Sequence, residues 1–279
     1  MITHSNINAV LRYPGSKWKI ADWIISHIPS HKVYLEPFFG SGAVFFRKTP
    51  SRIETINDRC GQVVNLFRII RGRGGELAAA VEMTPYARDE YELSMTPSGE
   101  PLEDARRLLI RCWQGFGSKV HHRTGWKINT NGNNPRYYTS SWNYLPERII
   151  RVVDRLKQVQ IENRNALELI ASNASSDVCI YADPPYLVEL HNSTGQYHVE
   201  MAEADHVALL DLLDKHPGSV LLSCYDSDLY SERLQHWTKK STKALAFGAV
   251  AREEVLYINP LAAQQIEKSR FTQIGLFRV

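Results

Sequence analysis

The sequence of 279 residues predicts an α/β fold in which a mainly parallel sheet is interrupted by a long helical insertion. Near the N-terminus a strand, a glycine-containing turn, a helix and a second strand follow one another. This alternation then stops, and apolar strands return in the second half of the chain. The length allows a large α/β domain together with a smaller inserted one.

The first part of the sheet is predicted from residues 11–70. An extended segment with a glycine turn comes first, and the helix after it has an apolar face made of Trp18, Ala21, Ile24, Ile25 and Ile28. Next come, in order, a strand at residues 33–36, a helix opening at residue 43, a strand at residues 54–57 that ends at Asp58, and a helical pattern over residues 63–70. This order is typical of the front half of a nucleotide-binding sheet.

The insertion is predicted to begin at Arg71, where Gly72, Gly74 and Gly75 indicate a turn. Its predicted elements are a helix at residues 103–113, a hairpin within the glycine- and asparagine-rich residues 116–134 that turns at Gly125 or Gly132, and a helix at residues 146–157. Residues 106–155 are rich in Arg, Lys, His, Asn, Trp and Tyr, which suits contacts with phosphates and bases. A solvated basic face would have the same composition.

After the insertion the sheet resumes. Strands are predicted at residues 159–162, 178–182 and 219–223, a helix at residues 203–215, and antiparallel edge strands at residues 255–258 and 274–279. The polar residues 188–199 have no periodicity and indicate a mobile lid.

Composition excludes several classes of protein. The four cysteines form no CxxC pair, so we expect buried free thiols rather than a zinc knuckle or a disulfide framework. No apolar run approaches the roughly 20 residues that cross a bilayer, so we expect a cytoplasmic protein without a membrane partner. The net charge of +3 identifies no partner by itself.

The most informative motif is Asp183-Pro184-Pro185-Tyr186, which follows the apolar strand at residues 178–182. Open α/β sheets place their sites at such carboxyl ends. The Asp183 carboxylate and the Pro184 carbonyl, held rigid by consecutive prolines, suit the two hydrogens of an exocyclic amino group. Accepting both would draw the nitrogen toward a tetrahedral, nucleophilic geometry, while the Tyr186 ring stacks on the base.

A second motif lies in the turn after the first strand, and its candidate residues are Glu36, Pro37, Phe38, Gly40 and Gly42. Its glycines allow a ligand to approach the backbone beside a helix N-terminus. Because the spacings GxGxxG and GK[ST] are absent, the turn favours an adenosyl ligand without phosphate. Asp58 is spaced like an acid that hydrogen-bonds ribose hydroxyls, although a helix N-cap would also explain it.

Taken in this order, the segments resemble the Dam-like (D12 class) family of DNA adenine methyltransferases over nearly the whole chain. Residues 12–17 are similar to the family's K-W-x-G-G-K element, with Ser16 in place of the second glycine. The resemblance implies cofactor contacts by Tyr13, Gly15 and Lys17, and it adds Asp183 and the E-P-F-x-G-x-G loop to the cofactor site. Asn165 stands where the family commonly has an aspartate that binds the adenine of the cofactor. Residues 253–260 are similar to the family's E-x-L-W-I-N stretch, which we interpret first as a strand.

The resemblance implies a Rossmann-like, S-adenosylmethionine-dependent methyltransferase domain at residues 1–70 and 159–279. A mostly helical target-recognition domain containing a hairpin would occupy residues 71–158. The implied reaction moves the methyl group of S-adenosyl-L-methionine to N6 of a flipped-out adenine in double-stranded DNA, leaving S-adenosyl-L-homocysteine and requiring no metal. Candidate DNA contacts are Lys119, Arg123, Asn131, Asn134 and Arg136.

Three alternatives are open at the level of sequence. Methylation of cytosine N4 needs the same geometry, but such enzymes more often have serine in place of Asp183. A catalytically silent DNA-binding relative would be free to lose Asp183 or Lys17, and an RNA methyltransferase would also flip a base. Methylation of cytosine C5 is excluded because the chain has no Pro-Cys nucleophile pair. We expect a monomer of bacterial or phage origin, with a cognate restriction endonuclease as a candidate partner.

Overall fold

The computed structural model describes residues 7–118, 123–129, 137–187, 201–245 and 251–276. Within these ranges the strands are β1 (Val33–Glu36), β2 (Ile53–Asn57), β3 (Val159–Glu162), β4 (Val178–Ala182), β5 (Ser219–Tyr225), β6 (Thr238–Leu245) and β7 (Ala251–Ile258). They form one sheet in the order β3-β2-β1-β4-β5-β7-β6. The first five strands in this order are parallel, β7 is antiparallel to β5, and β6 is antiparallel to β7.

The described helices are α1 (Ala21–Ile25), α2 (Ala43–Arg47), α3 (Gly61–Glu82), α4 (Arg88–Leu93), α5 (Pro101–Gln114), α6 (Tyr137–Asn143), α7 (Leu145–Leu156), α8 (Ala166–Ser172), α9 (Glu203–Asp214), α10 (Asp228–Arg233) and α11 (Pro260–Leu276). The five residues of β4 are all buried, and alternate side chains belong to two separate core clusters. The central strands are therefore covered on both faces, which explains their continuous apolar sequence. The predicted Rossmann-like α/β sheet is confirmed.

The helices of residues 61–156 extend one of these two cores. The α3 helix packs against α5 and α7, and the cluster runs from Tyr34 in the sheet to Leu108 in α5 and Val152 in α7. The insertion thus shares a continuous core with one face of the sheet. Its separation as residues 71–158 stays a prediction, and the first boundary falls within α3.

The predicted turn at Gly72, Gly74 and Gly75 is wrong, because all three residues lie within α3. The helix is only kinked there, at Arg73, whose φ of −136° and ψ of 30° are not helical. A Cβ on Gly74 would lie 2.5 Å from Cγ2 of Val153 in α7. This glycine therefore allows α3 and α7 to approach closely. From the sequence alone, the same glycine is interpreted as part of a turn.

The C-terminal part of the sheet differs from the prediction in two ways. Residues 274–276 are helical rather than extended, because α11 begins with Pro260 at its first position and continues through good helix-forming residues. The strand predicted at residues 255–258 is present and antiparallel, but β6 covers it and forms the edge. The sequence of β6, Thr-Lys-Lys-Ser-Thr-Lys-Ala-Leu, lacks apolar alternation, and its lysines protect an exposed edge.

Several other predictions can be compared with the described residues. An antiparallel bridge between Gly115 and Trp126 agrees with the predicted hairpin, and Gly125 has a positive φ of 92°. Gly132 and the lid of residues 188–199 lie outside the described ranges. The cysteines are free and buried, as predicted. None of the helices in the described ranges is long and apolar enough to cross a membrane.

Candidate active site

A cavity opens at the carboxyl ends of β1, β2 and β4. The strand order reverses between β1 and β4, because the chain from β1 builds outward through β2 and β3 and then returns to the other side for β4. The helices that follow neighbouring strands on the two sides leave a crevice at this position, where open α/β sheets bind ligands. Predicted site residues that line the cavity are Tyr13, Gly15, Lys17, Glu36, Pro37, Phe38, Gly40, Asp58, Asn165, Asp183, Pro184 and Pro185.

The glycine turn after β1 forms the floor of this cavity. Gly40 and Gly42 have φ values of +50° and +67°, in the left-handed region that favours glycine. A Cβ on Gly40 would lie 3.1 Å from the ring of Tyr13, and one on Gly42 would lie 2.4 Å from the ring of Phe39. Gly42 does not line the cavity but is the N-cap of α2, so it shapes the turn rather than the wall.

Asp58 is fixed where β2 leads into α3. One carboxylate oxygen accepts a hydrogen bond of 2.8 Å from the Gly40 amide, and the other accepts one of 2.8 Å from the Cys60 amide. Burial raises the pKa of Asp58 to about 6, although both backbone hydrogen bonds lower it. The side chain therefore ties the glycine turn to the next strand, and it still lines the cavity.

Asn165 lies across the cavity, at the N-cap of α8. Its Oδ1 accepts a hydrogen bond of 2.9 Å from the Leu167 amide. The oxygen therefore caps the helix, and the side-chain NH2 is the other polar group of Asn165. Leu167 and, at the start of α9, Met201 and Asp205 complete this wall. Sequence reasoning did not select these three residues.

Lys17 and Asp183, which line the cavity, belong to a largely buried cluster of charged and polar groups. Lys17 is 4% exposed, and its Nζ lies 2.9 Å from Oδ1 of Asp183 and 3.9 Å from Oε2 of Glu254. It also donates to the Gly15 carbonyl at 2.8 Å and contacts the Tyr186 hydroxyl. Burial opposes the charge of Lys17, but the two carboxylates outweigh it and raise its pKa. We term Lys17, Asp183, Tyr186 and Glu254 the charge cluster.

The pKa of Asp183 is raised to about 6. Burial is the main cause, Lys17 opposes it, and the negative charge of Glu254 adds to it. Glu36, at the end of β1, is also buried, and burial raises its pKa to about 8 although the Tyr34 hydroxyl donates to it at 2.7 Å. Glu36 and Asp183 therefore line the same cavity with different acidities, and Asp183 is the more acidic of these two groups.

Tyr186 does not line the cavity in this structure. Its ring is buried and lies 4.2 Å from the ring of Tyr225, tilted by 49°. Its hydroxyl donates to Oε2 of Glu254 at 3.0 Å. Glu254 lies in the stretch whose similarity to E-x-L-W-I-N is a signal in the sequence, but only the antiparallel pairing of β7 with β5 brings it beside Tyr186.

The predicted DNA contacts are only partly covered by the structure. Arg123 is exposed beside the hairpin and forms an ion pair with Glu92. The other four candidates, Lys119, Asn131, Asn134 and Arg136, lie outside the described residues. In the ranges that the structure describes, no group of three or more His, Cys, Asp or Glu side chains is placed to hold a metal ion.

Comparisons with known proteins identify the family. The sequence model of one protein family, the D12 class N6 adenine-specific DNA methyltransferases, matches residues 13–249. The chain belongs to this family. The methyltransferase is 23% identical over 274 residues to the DNA adenine methylase of Serratia marcescens, covering 88% of this chain and 95% of that protein. It is 25% identical over 242 residues to that of Escherichia coli (strain K12), covering 81% and 84%.

Among solved structures, the rRNA methyltransferase aviRa from Streptomyces viridochromogenes aligns with a TM-score of 0.42 and 13% identity over 96% of this chain and 95% of that one. The D12 match identifies the methyltransferase as a DNA-modifying enzyme specific for adenine N6. Neither of the main alternatives, transfer to cytosine N4 or a catalytically silent DNA-binding relative, is favoured by this match.

Proposed function

We propose that the cavity binds S-adenosyl-L-methionine and that the target adenine enters at its Asp183 end. The observation that carries this proposal is the ion-paired, partly buried Asp183, which follows β4 at its carboxyl end and lines one cavity with the glycine turn of β1. The proposal assigns to one cavity the two substrates of the N6 methylation that the family performs.

The residues present fit an adenosyl group. The positive φ of Gly40 would strain any other residue, and a Cβ there would contact the Tyr13 ring tightly at 3.1 Å, so a glycine at this position lets a ligand approach the backbone. The carboxylate of Asp58, at the end of β2, suits ribose hydroxyls, and Phe38 and Leu167 supply apolar walls. Asn165 would face the adenine of the cofactor. The bound cofactor would supply a methyl group on a sulfonium.

In the proposed reaction, Asp183 and Pro184 act on the target adenine. Asp183 would accept one amino hydrogen of a flipped-out base and the Pro184 carbonyl the other, which makes the nitrogen lone pair available for attack. As the nitrogen gains a methyl group it must lose a proton, and a carboxylate with a pKa of about 6 is a suitable acceptor near neutral pH. Stacking of Tyr186 on the base would require its ring to leave Tyr225.

We also propose that residues 71–158 recognise the target in duplex DNA. The exposed position of Arg123 beside the hairpin supports this role. A monomer in the cytoplasm, and a cognate restriction endonuclease as partner, belong to the same proposal and rest on the resemblance alone. No metal is needed for the proposed transfer.

The test is methyl transfer from labelled S-adenosyl-L-methionine to unmethylated genomic DNA, followed by nucleoside analysis and mapping of the modified sites. Label in N6-methyladenine at one sequence supports the proposal, whereas label in N4-methylcytosine refutes the base assignment. RNA of matched sequence is the control substrate. Transfer to RNA but not to DNA would show that the insertion serves a different nucleic acid.

A further inference from the structure

Glu254 is a buried carboxylate that has no role in the proposed transfer as described above. It lies on β7, is 6% exposed, and pairs in register with Tyr225 of β5. Its Oε2 accepts the hydrogen bond from Tyr186 and lies 3.9 Å from Nζ of Lys17. The preceding residue, Glu253, is exposed, because successive side chains of a strand point to opposite faces.

We propose that Glu254 is a positioning residue that neutralises Lys17, so that Asp183 presents a net negative charge to the target amino group. This inference rests on the proposed role of Asp183. In the charge cluster Lys17 carries one positive charge, and Asp183 and Glu254 carry one negative charge each. Without Glu254, the ion pair between Lys17 and Asp183 would be neutral overall.

The sign of this net charge matters for the reaction. The amino nitrogen becomes positively charged as the methyl group is transferred, and a buried negative charge nearby stabilises that state. An uncompensated ammonium 2.9 Å from Asp183 would oppose it. Glu254 also offers Lys17 a second carboxylate, so that Lys17 can move away from Asp183 when the amino group approaches the Asp183 carboxylate.

Other groups facing Asp183 do not replace Glu254. The hydroxyls of Tyr181 and Tyr230 and the thiol of Cys224 have pKa values raised by burial and are neutral near pH 7. Glu36, with a pKa of about 8, is largely protonated at that pH, and the Tyr186 hydroxyl accepts a hydrogen bond from Lys17 and donates one to Glu254. Lys17 and Glu254 are thus the described charges that set the field at Asp183 near neutral pH.

The test compares Glu254→Gln, Glu254→Asp and the exposed control Glu253→Gln in single-turnover methyl transfer across pH 5 to 9. Glu254→Gln should slow transfer by roughly tenfold or more, with dissociation constants for S-adenosyl-L-methionine and DNA unchanged within about twofold. Because Glu254 raises the pKa of Asp183, its removal should also move the acidic limb of the rate profile to lower pH. Glu254→Asp should restore most of the rate, and Glu253→Gln should match the unmodified enzyme.

Three results would overturn the inference: an unchanged rate and pH profile in Glu254→Gln, a loss confined to cofactor or DNA affinity, or a loss shared by Glu254→Asp with no shift of the limb. If Glu254→Gln does not fold, Glu254→Ala takes its place: slower transfer with the limb at lower pH supports the inference, and an unchanged rate and limb overturn it. A failure of the proposed function is seen separately, as full activity of Asp183→Asn.

Discussion

The position of Asp183 determines both its charge and its proposed role in the reaction. It lies at the end of a fully buried strand, pairs with Lys17 at 2.9 Å and has a pKa of about 6 because burial penalises its charge. A carboxylate this poised can hold an amino group when ionised and release a proton to solvent afterwards. The ion pair with Lys17 favours the ionised form of Asp183, which is the form that the proposed reaction needs.

The rate of transfer should therefore follow the ionisation of Asp183. Because its pKa is raised to about 6 and the ionised form is the acceptor, kcat/KM should rise with pH through that region and level off above pH 7. Asp183→Asn should abolish transfer across the whole range while calorimetry still detects binding of S-adenosyl-L-methionine. A variant that instead loses cofactor binding would place Asp183 in the cofactor pocket alone.

Asn165 should act on both the cofactor and the protein. Asn165→Ala removes the N-cap of α8 and should lower the free energy of unfolding by about 1 kcal/mol, and it should also weaken binding of S-adenosyl-L-methionine. Asn165→Asp keeps the cap and should preserve binding. The control is Ser227→Ala, which removes the N-cap of α10 outside the cavity and should cost similar stability without changing cofactor affinity. Equal affinities in all three variants would exclude Asn165 from the site.

At the scale of elements, strands and their ends were the most predictable part of the chain. The strands β1, β3 and β4 have the predicted bounds. The central strand β4 is an uninterrupted buried apolar run, whereas the edge strand β3, Val-Gln-Ile-Glu, alternates apolar and polar residues. Their carboxyl ends meet at one crevice, so Glu36 and Asp183 line one cavity, as expected. Long-range packing was harder to predict, as Gly74 and Glu254 show.

These two residues have roles that depend on distant partners. Gly74 is typical of a turn when only its neighbours in the sequence are considered, but a glycine is required there because Val153 of α7 packs against it. Glu254 reaches Tyr186 only through the antiparallel pairing of β7 with β5. The sequence does not predict the edge strand β6, because this strand has no alternating apolar residues. Its charged lysines instead suit an exposed edge of the sheet.

The close contact of α3 with α7 can be tested on a single helix. Gly74→Ala should lower the free energy of unfolding by about 1–3 kcal/mol, because its Cβ would lie 2.5 Å from the stiff, β-branched Val153. Gly75→Ala, which meets no atom within 4 Å, should instead stabilise the protein by about 0.4–1 kcal/mol. Denaturant unfolding measures both. Adding Val153→Ala to Gly74→Ala should recover part of the loss, and no recovery would mean that the clash is elsewhere.

In the whole molecule, the proposed function makes the sheet and the insertion two sides of a path for the substrate. The crevice at β1 and β4 opens at the carboxyl edge, while α3, α5 and α7 extend one core away from it and carry the hairpin with Arg123. A duplex held by the insertion could then present one base to the crevice. Under this proposal, recognition of the DNA is separate from the chemistry on the base.

Binding of DNA through the insertion should be electrostatic and should therefore weaken with added salt. Arg123→Gln should reduce the slope of log affinity against log salt by about 1 if Arg123 contacts a phosphate, after exchanging its ion pair with Glu92 for that contact. The matched control is Arg52→Gln, an equal loss of charge at an exposed residue at the amino end of β2, away from the carboxyl ends that form the cavity, and it should leave the slope unchanged. Fluorescence anisotropy with a labelled duplex measures both, and equal slopes in the two variants would assign the DNA to another surface.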